Sequence, residues 1–185
     1  GADFCKFQTW RVSNLKRGPW DKDGRIDIYK KAELTEDKHK KLLKICNQNG
    51  IKFMTSVFNI NDIDFISSIS NEIIKIPSHE VFNVDLIQKA QEKFKTVLIS
   101  IGACTWNEFK NLYEKIDLNK NVYFLHCVSS YPLDAENVNM QKLGEIFKLH
   151  KKIGYSGHLS GIDDAILAIS KAVSYTHLTL PTTSK

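Results

Sequence analysis

The sequence predicts an α/β fold in which parallel strands form an incomplete TIM-type (β/α)8 barrel. Six short apolar runs alternate with segments of helical periodicity along the chain. Most of these runs are continuously apolar, which is typical of strands in a parallel sheet covered on both faces. The sequence has neither a G-x-G-x-x-G nor a G-x-x-x-x-G-K-[ST] phosphate loop, and the absence of both favours a barrel over an open doubly wound sheet.

The predicted strands number about six, whereas a complete barrel has eight. We therefore expect the first strand and the authentic last strand of the barrel to be missing. We interpret residues 1–172 as a partial barrel catalytic domain and residues 173–185 as a non-native tail, because "VSYTHLTLPTT" resembles translated sequencing-adapter sequence. The six runs are FCKFQ (4–8), IKFMTS (51–56), IIKI (73–76), TVLIS (96–100), NVYFLHC (121–127) and KIGYS (152–156).

The helices between the strands carry readable start and stop signals. Thr35 is a predicted N-cap, and Asn49-Gly50 ends that helix. Asn83 is a second predicted cap, and Thr105-x-x-Glu108 is a capping box. Further apolar stripes predict helices over 139–150 and 161–170, whereas the Pro- and Gly-containing segment 18–31 predicts a long rim loop.

Composition limits the possible function classes. The 185-residue chain is 42% hydrophobic and 25% charged, which is ordinary for a globular domain. The net charge of +5 is spread without a basic, aromatic-interleaved stripe, so we expect no nucleic-acid partner. No apolar run approaches the ~20 residues of a membrane span. The four cysteines form no Cys-x-x-Cys pair and are interpreted as reduced thiols of a cytoplasmic protein.

Polar side chains gather where the predicted strands end, which is the reactive face of a parallel barrel. Two lysines, several hydroxyls, a carboxylate and a histidine would meet there, a set suited to a phosphate or carboxylate ligand beside a divalent metal. Individual residues also have purely structural interpretations. Glu80 could only cap a helix, and His126 fits a core histidine. The converging residues are Lys6, Gln8, Thr55, Ser56, Lys75, Ser78, His79, Glu80, Ser100, Gly102, Cys127, Ser129, Ser130, Tyr131, Ser156 and His158.

Five motifs in this order and spacing, "GADFCKFQTW", "KIPSHE", "SIGA", "HCVSSYP" and "GYSGH", resemble the sialic acid synthase family. The resemblance covers the chain from Gly1 to about Ala172. It implies a (β/α)8 barrel that condenses phosphoenolpyruvate with an N-acetylated amino-hexose, either N-acetylmannosamine or a diacetamido relative. It also implies a divalent metal, Mn²⁺ or Mg²⁺, and a homodimer for the full-length parent. No membrane partner is expected.

The resemblance also assigns roles to individual residues. Lys6, Lys75 and Glu80 would be catalytic, with the lysines offsetting anionic charge and Glu80 transferring a proton. His158 would be a metal ligand, whereas His177 is discounted because it falls early and lacks the family's preceding Glu-Lys pair. The implied substrate-binding residues are Lys6, Gln8, Ser56, Lys75, Ser78, Glu80, Ser100, Ser129, Tyr131 and Ser156.

The sequence departs from the family pattern at several points. The family commonly has Gly at the position of His79 and Asp at that of Gly157, and the lost Asp would remove an acceptor for the His158 ring.

The alternative to an active synthase is an incomplete, inactive barrel fragment that at most binds a phosphorylated ligand. Such a fragment would expose two sheet edges and would tend to aggregate.

Overall fold

The computed structural model describes residues 1–15, 18, 22–130, 133–171 and 173–177, with only the backbone described at position 177. Strands and helices alternate through the chain, as the sequence predicts. In chain order they are β1 (Phe4–Thr9), α1 (Arg25–Ala32), α2 (Glu36–Gln48), β2 (Lys52–Val57), α3 (Asp62–Ile69), β3 (Ile73–Ile76), α4 (Val84–Lys93), β4 (Thr96–Ser100), α5 (Trp106–Tyr113), β5 (Val122–His126), α6 (Gln141–Leu149), β6 (Ile153–Ser156), α7 (Asp163–Ser170) and β7 (Tyr175–His177).

The described strands form one parallel sheet in the order β1-β2-β3-β4-β5-β6-β7. Neighbouring strands are about 4.8 Å apart, so β2 and β7 would lie about 24 Å apart in a flat sheet. Instead, the Tyr175 hydroxyl donates a hydrogen bond to Met54 Sδ at 3.8 Å. The sheet therefore curls into most of a barrel, and β1 and β7 do not pair with each other within the described residues.

The strand count differs from the prediction of about six, because the described residues form seven strands. The short strand β7 pairs with β6, with Gly154 opposite Tyr175 and Ser156 opposite His177. It lies inside segment 173–185, whose interpretation as a non-native tail stays a prediction. Strand β7 could not be predicted from its residues, because "YTH" contains no apolar run and its strand conformation depends on pairing with the edge of β6.

Two apolar clusters build the core on opposite faces of the sheet. The larger cluster fills the space between the sheet and its helices and includes Phe109, Phe124 and Ile146. The smaller cluster consists of Met54, Ile73, Leu98 and Leu125 on the inner face. Because side chains of a strand alternate between faces, these inner residues form an apolar floor beneath the residues that follow them.

The predicted helix caps are present in the structure. Thr35 Oγ1 accepts from the Lys38 N–H, Asn83 accepts from the Leu86 N–H, and Thr105 and Glu108 form the complete capping box. The prediction of a rim loop over 18–31 is wrong from residue 25 onwards, because α1 occupies Arg25–Ala32. This helix buries no residue fully and contacts the rest of the protein through Tyr29, whose ring lies edge-on to Trp10.

Three further observations match or extend the composition analysis. The four cysteines are free thiols, with Cys46 and Cys127 buried, as the sequence predicts. His126 is a satisfied core histidine, since Nε2 donates to the Val138 carbonyl at 2.9 Å. In the described residues no helix is both long and apolar enough to cross a membrane.

Candidate active site

The inner face of the sheet changes from apolar to polar towards the carboxyl ends of the strands. On β2, Ser56 lies two residues beyond the floor residue Met54 and therefore on the same face. The strand registers put Ser56 opposite both Gln8 and Lys75. Lys6, Ser100 and Ser156 extend the same alternation on β1, β4 and β6. Parallel pairing thus brings these predicted site residues to one mouth.

Lys75 is the most unusual residue of this face, because its charged end is buried. It is 8% exposed, and its ammonium group donates to Ser156 Oγ at 3.4 Å. Burial, followed by repulsion from the Lys6 charge, lowers the pKa of Lys75 to about 8. Burial also lowers the pKa of Lys6. Among the described residues, no carboxylate forms an ion pair with either lysine.

The buried amine of Lys75 and the half-buried amine of Lys6, which have no anionic partner among the described residues, form a site suited to an anion. A buried ammonium group that lacks a counter-charge is energetically costly, and a bound phosphate or carboxylate would offset that cost. The hydroxyl of Ser100 supports the same interpretation, because it is buried with no hydrogen-bond partner among the described residues. Buried hydroxyls are normally hydrogen-bonded, so Ser100 has a donor available for a ligand.

The remaining predicted serines differ in their surroundings. Ser56 Oγ donates to the Phe7 carbonyl at 3.4 Å, and Ser78 Oγ lies 2.9 Å from Cys127 Sγ. Ser129 is exposed. A Cβ at Gly102 would lie 2.4 Å from Cys127 Sγ, so only glycine lets the end of β4 approach the end of β5 this closely.

His158 is held in a defined orientation just beyond β6. Its Nδ1 lies 2.7 Å from the Val128 carbonyl oxygen, and since a carbonyl only accepts, Nδ1 carries the proton. In the neutral ring the lone pair is therefore on Nε2. Burial is the main cause of the lowered pKa of His158, and it favours this neutral form, which is the form that binds metals.

The carboxylate of Asp164 lies near His158. Its Oδ2 accepts from the Tyr155 hydroxyl at 2.8 Å, and a Cβ at Gly157 would lie 2.7 Å from the same oxygen. Gly157 thus leaves room for Asp164 at the end of β6. The ring of His158 also has its acceptor, the Val128 carbonyl, so the structure supplies both a carboxylate and an acceptor where the sequence indicated a loss.

The donor set for a metal is incomplete in the part of the chain that the structure describes. There is no group of three or more His, Cys, Asp and Glu side chains that could hold an ion there. His158 fits the chemistry of one ligand, although it belongs to no group of three or more such side chains within the described residues. The backbone of His177 is in register with Ser156, and its side chain is not described.

Of the predicted sugar-binding residues that the structure describes, Glu80 lies on the rim beyond β3 and Gln8 lies near the end of β1. Glu80 is in the short 3-10 helix Ser78–Glu80, and its Oε2 accepts from the Asn83 side-chain amide at 3.1 Å. Gln8 is exposed at the mouth. Tyr131 lies outside the described residues.

The rim cleft beside Glu80 was not predicted from the sequence. This cleft has a volume of about 530 Å³ and is lined by Trp10, Phe58 and His79 among others. The signal was present in the sequence, because Trp10 and Phe58 each come two residues after an inner-face residue, Gln8 and Ser56. If side chains continue to alternate between the two faces for one step past the strand ends, both rings lie at the mouth.

A model of the NeuB family matches residues 1–183 of the chain. Three curated relatives are each 32% identical to it. They are the N,N'-diacetyllegionaminic acid synthase of Legionella pneumophila (189 residues aligned, 91% of this chain and 52% of the relative), the pseudaminic acid synthase of Helicobacter pylori (191 residues, 94% and 55%) and the N-acetylneuraminate-9-phosphate synthase of Homo sapiens (200 residues, 100% and 56%).

The fold is also similar to solved structures. The crystal structure of an N-acetylneuraminic acid synthetase from Leptospira borgpetersenii, in complex with citrate, superposes with a TM-score of 0.86 at 23% identity, covering 95% of this chain and 61% of that one. At this identity the likeness concerns the fold. The chain spans about half the length of the curated relatives that it matches.

Proposed function

Because the chain belongs to the NeuB family, whose matched relatives are sialic, legionaminic and pseudaminic acid synthases, we propose that it is the catalytic barrel of a nonulosonic acid synthase. The proposed substrates are phosphoenolpyruvate and an N-acetylated amino-hexose, N-acetylmannosamine or a diacetamido relative. The proposed products are the nonulosonic acid and phosphate.

The observation that carries this proposal is the pair of lysine amines on the inner face, one buried (Lys75) and one half-buried (Lys6). Phosphoenolpyruvate carries a phosphate and a carboxylate on the same carbon atom, and it needs several cations and donors close together. Lys6 and Lys75 would supply the positive charge, whereas Ser56, Ser100 and Ser156 would supply hydroxyl donors. The apolar floor below them would exclude water from one side of the ligand.

The proposed reaction forms one carbon–carbon bond, and at the phosphate-bearing carbon it replaces the bond to phosphate oxygen by a bond to the oxygen of water. The terminal enol carbon of phosphoenolpyruvate attacks the aldehyde carbon of the open-chain sugar, leaving an oxocarbenium centre at the phosphate-bearing carbon. Water adds there and loses a proton, and the aldehyde oxygen gains a proton to become a hydroxyl. The tetrahedral intermediate then expels phosphate as its new hydroxyl loses a proton and becomes the keto group of the product. Lys6 and Lys75 would stabilise the anionic groups throughout, and Glu80 would transfer the proton.

A divalent metal, Mn²⁺ or Mg²⁺, remains part of the proposal for the parent protein. His158 would contribute Nε2 as one ligand. Since the described residues hold no complete donor set, the steps above use only the protein's own groups. Further ligands would have to come from residues outside the described set.

A binding-only fragment is the second candidate, and the open sheet favours it. In the described residues β1 and β7 remain unpaired edges, and closing the barrel would need at least one more strand. Such a fragment would bind phosphoenolpyruvate without turnover.

We also propose a cytoplasmic location, which the four free thiols support. A homodimer of the parent is a prediction.

Phosphate release from phosphoenolpyruvate tests the two candidates together. The chain is incubated with phosphoenolpyruvate, Mn²⁺ and N-acetylmannosamine, and inorganic phosphate is measured with and without the sugar. Sugar-dependent release that Lys75→Met abolishes and Lys44→Met preserves would support the synthase. Phosphoenolpyruvate binding is measured calorimetrically on the same chain: binding without release would support the fragment, and neither binding nor release would refute both.

A further inference from the structure

A buried chain of polar side chains lies behind the mouth of the sheet, between the ends of β1 and β2 and helix α2. Its members, Thr9, Thr55 and His39, are fully buried. His39 Nε2 lies 2.8 Å from Thr9 Oγ1, and Thr9 Oγ1 lies 2.9 Å from Thr55 Oγ1. Apolar side chains fill much of the same layer between sheet and helices. Polar groups buried there destabilise the fold unless each is paired, so this chain needs a reason to be present.

The hydrogen bonds of this chain run in one direction. His39 Nδ1 lies 2.9 Å from the Thr35 carbonyl oxygen, and since a carbonyl only accepts, Nδ1 carries the proton. Burial is the main cause of the lowered pKa of His39, and it favours the neutral ring, so Nε2 accepts from the Thr9 hydroxyl. Thr9 Oγ1 is then the acceptor for the Thr55 hydroxyl. Helix α2 is therefore joined to β1, and β1 to β2, by hydrogen bonds of fixed direction.

The chain lies directly behind two residues of the proposed active site. Side chains of a strand alternate between faces, so Thr9 on the outer face follows Gln8 on the inner face. In the same way Thr55 precedes Ser56, and the strand register puts Ser56 opposite Gln8. Thr55 Oγ1 also lies 3.3 Å from the Ser56 carbonyl oxygen, whereas Ser56 Oγ donates to the Phe7 carbonyl on the inner face. The ends of β1 and β2 are thus held by side-chain hydrogen bonds on both faces.

We propose that His39 is a positioning residue for phosphoenolpyruvate binding. Through the hydroxyls of Thr9 and Thr55 it holds the carboxyl ends of β1 and β2 in the geometry that the ligand requires. Its ring is fully buried, so it acts through these hydroxyls and not by contact with the ligand. Hydrogen bonds suit this role because they are directional and select one arrangement of the two strands. The inference rests on the proposed function, in which Lys6 of β1 and Ser56 of β2 bind phosphoenolpyruvate.

Apolar replacement of the whole chain separates a positioning role from a purely structural one. His39→Leu alone leaves the Thr9 hydroxyl buried without its acceptor, which lowers stability. The triple variant His39→Leu/Thr9→Val/Thr55→Val leaves no such group, because the Thr35 carbonyl still accepts from the backbone N–H at position 39. Its urea midpoint should therefore return towards that of the wild type. If His39→Leu does not fold, the triple variant carries the comparison.

Two further variants complete the set. His39→Gln keeps an acceptor for the Thr9 hydroxyl and a donor for the Thr35 carbonyl. Gln91→Leu is the matched control, because Gln91 is also buried and its amide donates to the Asp117 carbonyl at 2.7 Å. That contact lies in the connection that enters β5, at the end of the sheet opposite the mouth.

Phosphoenolpyruvate affinity is measured calorimetrically and stability by urea unfolding on every chain. The triple variant should bind about fivefold more weakly than the wild type despite its recovered midpoint, because misplaced groups lose contact with the ligand. His39→Gln should bind within about twofold of the wild type, and Gln91→Leu should lose stability without losing affinity. Wild-type affinity in the triple variant, or a loss of affinity in Gln91→Leu as large as in the triple variant, would overturn the inference.

Amide hydrogen exchange without ligand keeps this inference apart from the proposed function. In the triple variant the amides of residues 8–9 and 56–57 should exchange faster than in the wild type, whereas those at the end of β4 should not change. If the wild type does not bind phosphoenolpyruvate but these amides exchange faster, the proposed function fails and His39 still positions the strand ends. If phosphoenolpyruvate binds and neither affinity nor exchange changes, the positioning role fails and the anion site stands.

Discussion

Replacing Lys75 by methionine should stabilise the chain while removing its anion site. Methionine keeps most of the aliphatic volume of lysine and removes the buried charge. The pKa of Lys75 falls from 10.5 to about 8, mainly through burial, and such a shift corresponds to about 3 kcal/mol of unfavourable free energy for the charged form. Since real sites relax around buried charges, we expect Lys75→Met to raise the free energy of unfolding at pH 7 by about 1–3 kcal/mol.

The pH dependence of this gain follows from the direction of the shift. The folded-state pKa of Lys75 is lower than the unfolded one, so the unfolded chain binds more protons between about pH 8 and pH 10.5. Wild-type stability therefore gains a rising contribution from this group over that window, and below about pH 8 the penalty is present in full. The advantage of Lys75→Met should be greatest at pH 7 and should decline towards pH 10.

Urea unfolding followed by circular dichroism measures both effects. Lys44→Met is the matched control, because Lys44 lies exposed on α2, and its replacement should change the free energy of unfolding by no more than about 0.5 kcal/mol. Two results would refute the reasoning. Lys75→Met could be less stable than the wild type at pH 7, or its gain could be the same at every pH.

Further predictions concern the glycine contact, the anion site and the α5 cap. Gly102→Ala should destabilise the chain by about 1–3 kcal/mol through overpacking against Cys127, whereas Gly144→Ala, with open space around it, should be neutral or stabilising in thermal unfolding. Sulfate affinity, measured calorimetrically, should fall about fivefold from pH 8 to pH 9 as Lys75, with its pKa of about 8, loses its proton; a constant affinity would contradict this. Thr105→Ala should lose about 1 kcal/mol of stability in urea unfolding with the capping box, and an unchanged midpoint would count against the cap.

The parallel sheet could be predicted from sequence because its strands are covered on both faces. Runs such as "IIKI" and "TVLIS" are continuously apolar, and the structure places them in β3 and β4. Strand β7 and helix α1 could not be predicted in this way, because neither buries a continuous apolar segment. Their conformation depends on neighbours, the edge of β6 in one case and the contact of Tyr29 with Trp10 in the other.

The candidate site likewise contains residues that could be predicted from the sequence and contacts that could not. Lys6 and Lys75 could be singled out because a lysine inside an apolar strand needs a reason to be there. The contact between Ser78 and Cys127 depends on how a loop after β3 meets the end of β5, and spacing along the sequence does not contain that information. The rim cleft depends in the same way on the relative positions of Trp10, Phe58 and His79, which come from three different segments.

Calorimetric titration of phosphoenolpyruvate into the 185-residue chain at pH 7 tests the central claim most directly. The wild type and Lys44→Met should bind with the same affinity, whereas Lys6→Met and Lys75→Met should each weaken binding at least tenfold, because each removes an inner-face cation from the anion site. Equal binding by all four chains, or no binding by the wild type, would contradict the assignment of the inner face as the phosphoenolpyruvate site.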